Sequence, residues 1–180
     1  MKYMYYYWQD LYTPTELIEI EKYCLANESK IYSDRPAGDK KNVDAFVFDI
    51  PKKEEKFDIL FERVMNTNHQ FFGFDIFDYY LRQGNYNNYE GEKNEYKFHR
   101  DAADPQDLHD IKLTAILNIS NEEYEGGDFI IYDGDHRIVD EIKTPGNLLV
   151  FPSFYYHAVT PVTKGCRKTI SFWFRGPVWK

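Results

Sequence analysis

Beyond Gly73 the chain is punctuated at short, regular intervals. Runs rich in β-branched and aromatic residues alternate with turn signals at Gly91, Gly126-Gly127, Asp133-Gly134, Pro145-Gly146 and Lys164-Gly165. Glycine and proline at such spacing leave no room for long helices and predict antiparallel strands joined by tight reversals. The predicted strands are 78–89, 96–101, 113–120, 128–132, 137–142, 147–151, 157–162 and 167–174. Short strands in a series of this kind fold as a double-sheet jelly roll, a double-stranded β-helix. The aromatic content of 18%, with 16 Tyr and 14 Phe, fits sheet better than helix.

The first third of the chain reads differently. Residues 3–8 form an aromatic strand pattern. Thr13-Pro14-Thr15-Glu16 is a helix start, with Thr as N-cap, Pro at the first helical position and Glu closing a capping box. Leu17, Ile20, Cys24 and Leu25 then recur at helical spacing. Residues 33–42, with Pro36, Gly38 and several charges, read as a mobile loop. Residues 44–50 alternate, with Phe46, Phe48 and Ile50 on one face, and Pro51 ends that strand. Phe57, Leu60, Phe61, Val64 and Phe71 line one side of a second helix. The expected architecture is mainly β with N-terminal helices: one domain over 1–180, in which 1–72 support a jelly-roll core over 73–177.

Three residues with metal-ligating side chains stand on these strands in order. His99 and Asp101 lie two apart, so on a strand both would face one side while Arg100 faces the other. His157 follows the apolar run 148–151 and is expected to open another strand. Two imidazoles and one carboxylate on one face of an ion leave the opposite face open, the arrangement that suits non-haem Fe(II) oxygenases. Arg167 adds a planar cation able to hold a carboxylate bidentately. Counting by two from Arg167 gives Thr169, Ser171 and Trp173 on one face of the last strand. Lys168, Ile170, Phe172 and Phe174 fall on the other. The polar face suits an ionic ligand and the Phe face a core.

Each piece has an ordinary reading. An H-x-D triplet is common, a histidine after an apolar strand is more often structural, and Arg167 alone could be a surface cation. The conjunction, in order and on strands, is what carries chemistry. His69 on a helix flank, His109 in an acidic loop and His136 in a turn compete poorly. Cys24 and Cys166 have no C-x-x-C spacing, which argues against a zinc site or a disulfide framework and for a reducing interior. The formal net charge of −8 argues against nucleic-acid phosphate as the main partner. No stretch reaches transmembrane length, and residues 1–8 lack the aliphatic run of a signal peptide. A cytoplasmic protein without a membrane partner is expected.

With these residues in view, the sequence resembles the prolyl-4-hydroxylase-like branch of the Fe(II)/2-oxoglutarate-dependent dioxygenases over roughly residues 74–177. The resemblance implies that His99, Asp101 and His157 are the iron ligands and that Arg167 grips the distal carboxylate of 2-oxoglutarate. It implies that Tyr89 and Thr169 stand near the cosubstrate and that Tyr96 and Trp173 line the same pocket. Tyr124-Glu125-Gly126-Gly127-Asp128-Phe129 is similar to the family's glycine turn, and Pro161-Val162-Thr163-Lys164-Gly165 to the segment joining the last two strands. Asn118 stands where some relatives carry a tyrosine that helps hold the cosubstrate, and its amide could hydrogen-bond a carboxylate.

The implied activity couples oxidative decarboxylation of 2-oxoglutarate, giving succinate and CO2, to hydroxylation of a substrate C–H bond. It uses Fe(II) and O2, with ascorbate as a reductant. The substrate expected first is a prolyl or other side chain of a peptide or protein, and a small molecule second. Asp101, Asp104, Asp107 and Asp110 near the expected rim would favour neutral or cationic peptides, unless they are simply a solvated loop. A cupin-like jelly roll that binds metal or ligand without turnover remains the alternative from another class. It would have no need of Arg167 and Trp173 facing a dicarboxylate pocket.

Overall fold

The structure, a computed structural model, describes residues 3–29, 41–51, 53–77, 83–90, 94–101 and 109–179. The chain runs β1 (Tyr6–Trp8), α1 (Pro14–Ala26), β2 (Lys41–Asn42), β3 (Asp44–Asp49), α2 (Asp58–Thr67), β4 (Gln83–Glu90), β5 (Glu95–His99), β6 (Asp110–Asn118) and β7 (Glu125–Gly126). It continues through β8 (Phe129–Tyr132), β9 (His136–Ile138), β10 (Leu148–Pro152), β11 (Tyr156–Val159), β12 (Val162–Lys164) and β13 (Cys166–Gly176). Among the described residues the larger sheet has the order β1-β10-β6-β13-β4-β3, and the smaller one β2-β5-β11-β8-β9, with β7 and β12 paired beside them. Among the described residues the ladders are antiparallel, and the two sheets make the expected jelly roll.

Strand alternation sorts the side chains into two cores. On β13, Ile170, Phe172 and Phe174 point out of the barrel and pack with Leu113 and Leu117 of β6 against Ile20 and Cys24 of α1 and Leu60, Phe61 and Val64 of α2. Phe61 meets Phe172 and Phe174 edge-on, with centroids 5.7 and 5.9 Å apart. Burying a phenylalanine of this kind is worth roughly 1.5–3 kcal/mol, so the helices are glued to the sheet by the face that faces away from the site. A second core lies between the sheets around Phe129, Ile131, Leu149 and Phe151.

The helix signals act as read. Thr13 accepts from the Glu16 N–H at 3.4 Å, and the Glu16 carboxylate accepts from the Thr13 N–H at 2.7 Å, closing the capping box of α1. Leu17, Ile20 and Cys24 are buried, but Leu25 is exposed, since the buried stripe of α1 passes one residue to its side. The helix α2 gives way to a π-helical turn at Asn68–Phe72, which stops at Gly73. Gly73 has φ +71 and returns its N–H to the Asn68 carbonyl, a left-handed stop that glycine adopts at least cost.

Several strand limits differ from expectation. The run 137–142 is not one strand: β9 ends at Ile138, and Asp140–Lys143 form a 3-10 turn whose Ile142 enters the inner core. The run 157–162 is divided into β11 and β12 around Thr160-Pro161, where the Thr160 N–H turns to the Asp128 carbonyl and Pro161 has no N–H to give a ladder. Most of the loop expected at 33–42, the start of the strand expected at 78, the Gly91 turn, Asp104 and Asp107 lie outside the described residues. Lys41–Asn42, at the end of that loop, form β2. Among the described residues no helix is long and apolar enough to cross a membrane.

Candidate metal centre

His99 and His157 are direct cross-strand partners on β5 and β11. Partners on one face of a ladder stand close enough to share a ligand, and the two imidazole centroids are 4.2 Å apart. Asp101 reaches them by another route than the expected alternation. β5 ends at His99, and Asp101 lies just past it, where its N–H donates to the Ser153 carbonyl at 3.2 Å. That bond to the start of the β10–β11 turn swings the carboxylate between the rings. Asp101 Oδ1 is 3.5 Å from His99 Nε2, and Oδ2 is 3.5 Å from His157 Nε2. One donor atom from each residue lies within 4.8 Å of the others, so the three could hold one metal ion.

Hydrogen bonds behind the triad fix which atoms face inward. His99 Nδ1 meets the Lys97 carbonyl at 2.8 Å and His157 Nδ1 meets the Tyr155 carbonyl at 3.1 Å. A carbonyl can only accept, so both Nδ1 atoms carry the proton and both Nε2 lone pairs are left for a cation. The Thr114 hydroxyl donates to Asp101 Oδ2 at 2.7 Å from the opposite sheet. Burial alone would push the Asp101 carboxyl up; His157, His99 and the Thr114 hydroxyl together reverse this and hold it at about 2. Burial drives His157 towards its neutral form, against the pull of Asp101. An ionised carboxylate beside a neutral His157 imidazole is a state that suits ligation. Tyr96 stacks on His99 at 3.6 Å, and Phe129 and Phe151 flank His157, so the rings have little room to rotate.

The triad opens into a small cavity of about 70 Å³ between the sheets. Its far wall is the polar face of β13, with Arg167, Thr169, Ser171 and Trp173, joined by Asn87 and Tyr89 of β4. Among the described residues Arg167 is the largest fully buried side chain, 1% exposed, and its Nε and Nη2 have no partner there. Its guanidinium carbon sits 5.0 Å from the centroid of Tyr89, its cross-strand neighbour. Burial pushes the Tyr89 hydroxyl up, and the adjacent guanidinium pulls it part of the way back. A buried cation with idle donors is costly unless an anion meets it. An anion at this end of the cavity would meet both unpartnered donors.

His99, Asp101, His157, Tyr89, Tyr96, Arg167, Thr169 and Trp173 thus share one cavity, whereas Asn118 does not join them. The Asn118 amide donates to the Ile142 and Lys143 carbonyls at 2.8 and 2.9 Å, and its oxygen accepts from the Ser120 N–H. Its hydrogen-bonding groups tie down the 3-10 turn, which is the correction to its expected place beside a cosubstrate. Asp110 is likewise no solvated rim charge: it is buried and accepts the Trp179 N–H. Thr114, Asn85 and Asn87 were missed. Two-residue counting along β6 and β4, as applied to β13, would have put them on the inner face. A larger cleft of about 790 Å³ lies by the start of α1, around Tyr12, Leu17 and Tyr124, and contains no histidine.

The profile of the 2OG-Fe(II) oxygenase superfamily matches residues 84–175, just over half of the chain and the span that holds the whole cavity. A PKHD-type hydroxylase of Xylella fastidiosa strain M12 is 40% identical over 107 residues, covering 52% of this chain and 44% of that relative. One from Stenotrophomonas maltophilia strain R551-3 is 41% identical over 92 residues, covering 46% and 39%. The matches thus span less than half the length of these relatives. Among solved structures, a Pseudomonas putida prolyl-4-hydroxylase superposes with TM-score 0.71 at 18% identity, over 98% of this chain and 95% of that one. The viral collagen prolyl hydroxylase of Paramecium Bursaria Chlorella virus-1, in its 2OG complex, gives 0.73 at 15% identity, over 97% of each. These superpositions agree with the jelly roll described above.

Proposed function

We propose that this chain, which belongs to the 2OG-Fe(II) oxygenase superfamily, is a hydroxylase in which His99, Asp101 and His157 hold Fe(II) and Arg167 holds 2-oxoglutarate. The observation that carries the reading is the idle guanidinium of Arg167 in the same cavity as the triad. A jelly roll that only bound metal would leave Nε and Nη2 of a buried cation without an anion. The donor set fits the metal: two Nε2 lone pairs fixed by their Nδ1 hydrogen bonds, and one carboxylate kept ionised. The other end fits a dicarboxylate, whose distal carboxylate would take the two free N–H groups of Arg167.

When bound, Fe(II) with 2-oxoglutarate and O2 supplies the oxidising power that hydroxylates a C–H bond, with succinate and CO2 as coproducts. The chain's own groups position and shield. Arg167 sets the register of the cosubstrate, with Tyr89 and Thr169 beside it. Thr114 holds the Asp101 carboxylate in its rotamer. Tyr96 and Trp173 wall the cavity against water. No side chain is assigned as a general base; the residues around the cavity would bind, orient and shield, and the bound group would supply the chemistry.

The substrate proposed is a prolyl or other side chain of a peptide or protein. The entire chain, 1–180, acts as the catalytic domain. The test is direct: the protein is supplied with Fe(II) and 2-oxoglutarate in air, succinate is measured, and proline-containing peptides are examined by mass spectrometry for one added oxygen. Succinate formation that disappears in His99→Ala is expected. Undiminished turnover in that variant would remove the metal assignment, and oxidation of free metabolites with no peptide modified would move the substrate to the small-molecule class.

A further inference from the structure

The cleft of about 790 Å³ at the start of α1 shares no lining residue with the cavity that holds the triad. Tyr12, Pro14, Leu17 and Ile18, with Tyr124 and Pro145, give it a mostly apolar surface. Its volume falls in the range of ligand pockets. Its walls are pinned by backbone contacts. The Leu11 N–H donates to the Gly146 carbonyl at 2.9 Å, and the Asp10 N–H to Asn147 Oδ1 at 3.0 Å. A Cβ on Gly146 would stand 2.6 Å from the Tyr12 carbonyl oxygen, and one on Gly165 would collide with the Glu123 carbonyl. The cleft is therefore a preformed feature of the fold.

The apolar surface continues beyond it. Ile18 is 44% exposed, and Leu25, seven residues further along α1, is 56% exposed. Residues seven apart lie on one side of a helix, here about 10 Å apart at helical rise. An apolar strip thus leads from the cleft along α1. A small molecule would fill the cleft and leave the strip wet, whereas a segment of several residues covers both.

The rim sets the charge of that segment. The two lysines of the cleft are committed, Lys164 to Glu125 at 2.9 Å and Lys143 to Asp128. Asp10, Glu122 and Glu123 are exposed and have no ion-pair partner among the described residues. The Glu122 and Glu123 charges act on Lys168 and Lys164, but those ammoniums bond Glu21 and Glu125. Three carboxylates are left to meet an incoming chain, and the overall charge of −8 attracts cations at longer range.

We propose that the cleft and the Ile18–Leu25 strip dock a basic amphipathic segment of a partner protein. Its apolar side chains would lie on Ile18 and Leu25, and its lysines or arginines would face Asp10, Glu122 and Glu123. The surface is separate from the metal centre, so docking does not depend on the reaction proposed there.

The experiment titrates the full chain, labelled with nitrogen-15, and follows backbone amide shifts by NMR. The probes are acetyl-Lys-Leu-Lys-Leu-Lys-amide, a counterpart with Gln for each Lys, and a counterpart with Ser for each Leu. The Lys-Leu probe should shift the amides of Ile18, Leu25 and residues 121–125. It should bind about fivefold tighter than either counterpart, since exposed ion pairs are individually weak. Glu122→Gln with Glu123→Gln should bring the Lys-Leu and Gln probes within about twofold of each other. Asp133→Asn with Asp135→Asn removes as much charge from the exposed β8–β9 turn and should leave the ratio unchanged. Ile18→Ser should remove the preference for Leu over Ser. Tyr124 is left intact, because a Cβ on Gly127 would stand 3.4 Å from its ring and 2.8 Å from Arg167 Cδ. Equal binding of the three probes, no binding at millimolar concentration, shifts confined to other residues, or a charge preference that survives Glu122→Gln with Glu123→Gln would overturn the proposal. So would shifts at the same amides that grow with protein concentration in the absence of probe, which would make a second copy of the chain the occupant.

Discussion

A Cβ on Gly127 would stand 2.8 Å from Cδ of Arg167 and 3.0 Å from Cγ2 of Val162. The glycine also has φ +61, a conformation that side chains resist. The turn between β7 and β8 thus presses its backbone against the stem of the buried guanidinium and fixes how far it reaches into the cavity. Gly127→Ala should displace the Arg167 head, raise the 2-oxoglutarate concentration needed for half-maximal succinate formation, and leave the metal content of the purified protein unchanged. Lost metal with unaltered cosubstrate dependence would show that the turn supports the triad instead.

Arg167→Leu separates binding from stability. Its guanidinium is buried with Nε and Nη2 unpartnered, so without ligand it is a liability to the fold. The variant should melt at the same temperature as the wild type or higher when no 2-oxoglutarate is present. Added 2-oxoglutarate should then raise the Tm of the wild type and not of the variant. The lost charge-assisted contact, about 1.5–3 kcal/mol, corresponds to a ten- to hundredfold higher cosubstrate requirement. A variant that melts early without ligand and binds normally with it would assign Arg167 to the fold alone.

What the sequence discloses here depends on whether a function rests on strand alternation or on how the ends of strands are turned. The face of β13 was legible, because Arg167, Thr169, Ser171 and Trp173 obey two-residue counting over an unbroken strand, and Ile170, Phe172 and Phe174 obey it on the other side. The pairing of His99 with Asp101 was legible as a set and not as a geometry. The carboxylate arrives through a backbone bond to Ser153, a contact made across the fold that no local pattern records. Asn118 illustrates the opposite error. Its place on β6 is as expected, but the carbonyls it serves belong to a 3-10 turn that reads in sequence as a strand. Thr114 follows the alternation of that strand, yet only the register with β13, where it faces Trp173, shows its place beside the metal.

Asn118→Ala should therefore behave as a stability variant. It is fully buried, and its amide holds two main-chain carbonyls. Leaving such groups unsatisfied costs about 1–3 kcal/mol, to be read as a lower midpoint in urea unfolding. The dependence of succinate formation on 2-oxoglutarate should not move. A raised cosubstrate requirement at unchanged stability would return Asn118 to the cavity.

The Thr114 hydroxyl reaches the triad from the larger sheet, across the cavity. It holds Asp101 Oδ2, the oxygen that also faces His157. Thr114→Val keeps the branched shape, so the strand and the packing around Ala115 are preserved, and only the donor is removed. The carboxylate then keeps its charge through the histidines but can rotate away from them. Supporting hydrogen bonds of this kind are worth ten- to hundredfold in metal affinity. Metal titration of the variant should show that loss, with secondary structure and melting temperature close to wild type. The 2-oxoglutarate requirement, measured at saturating Fe(II), should be little changed, because Arg167 stands at the other end of the cavity. Unaltered metal affinity would mean that Ser153 and the two histidines fix Asp101 without help, and Thr114 would then be no more than part of the cavity wall.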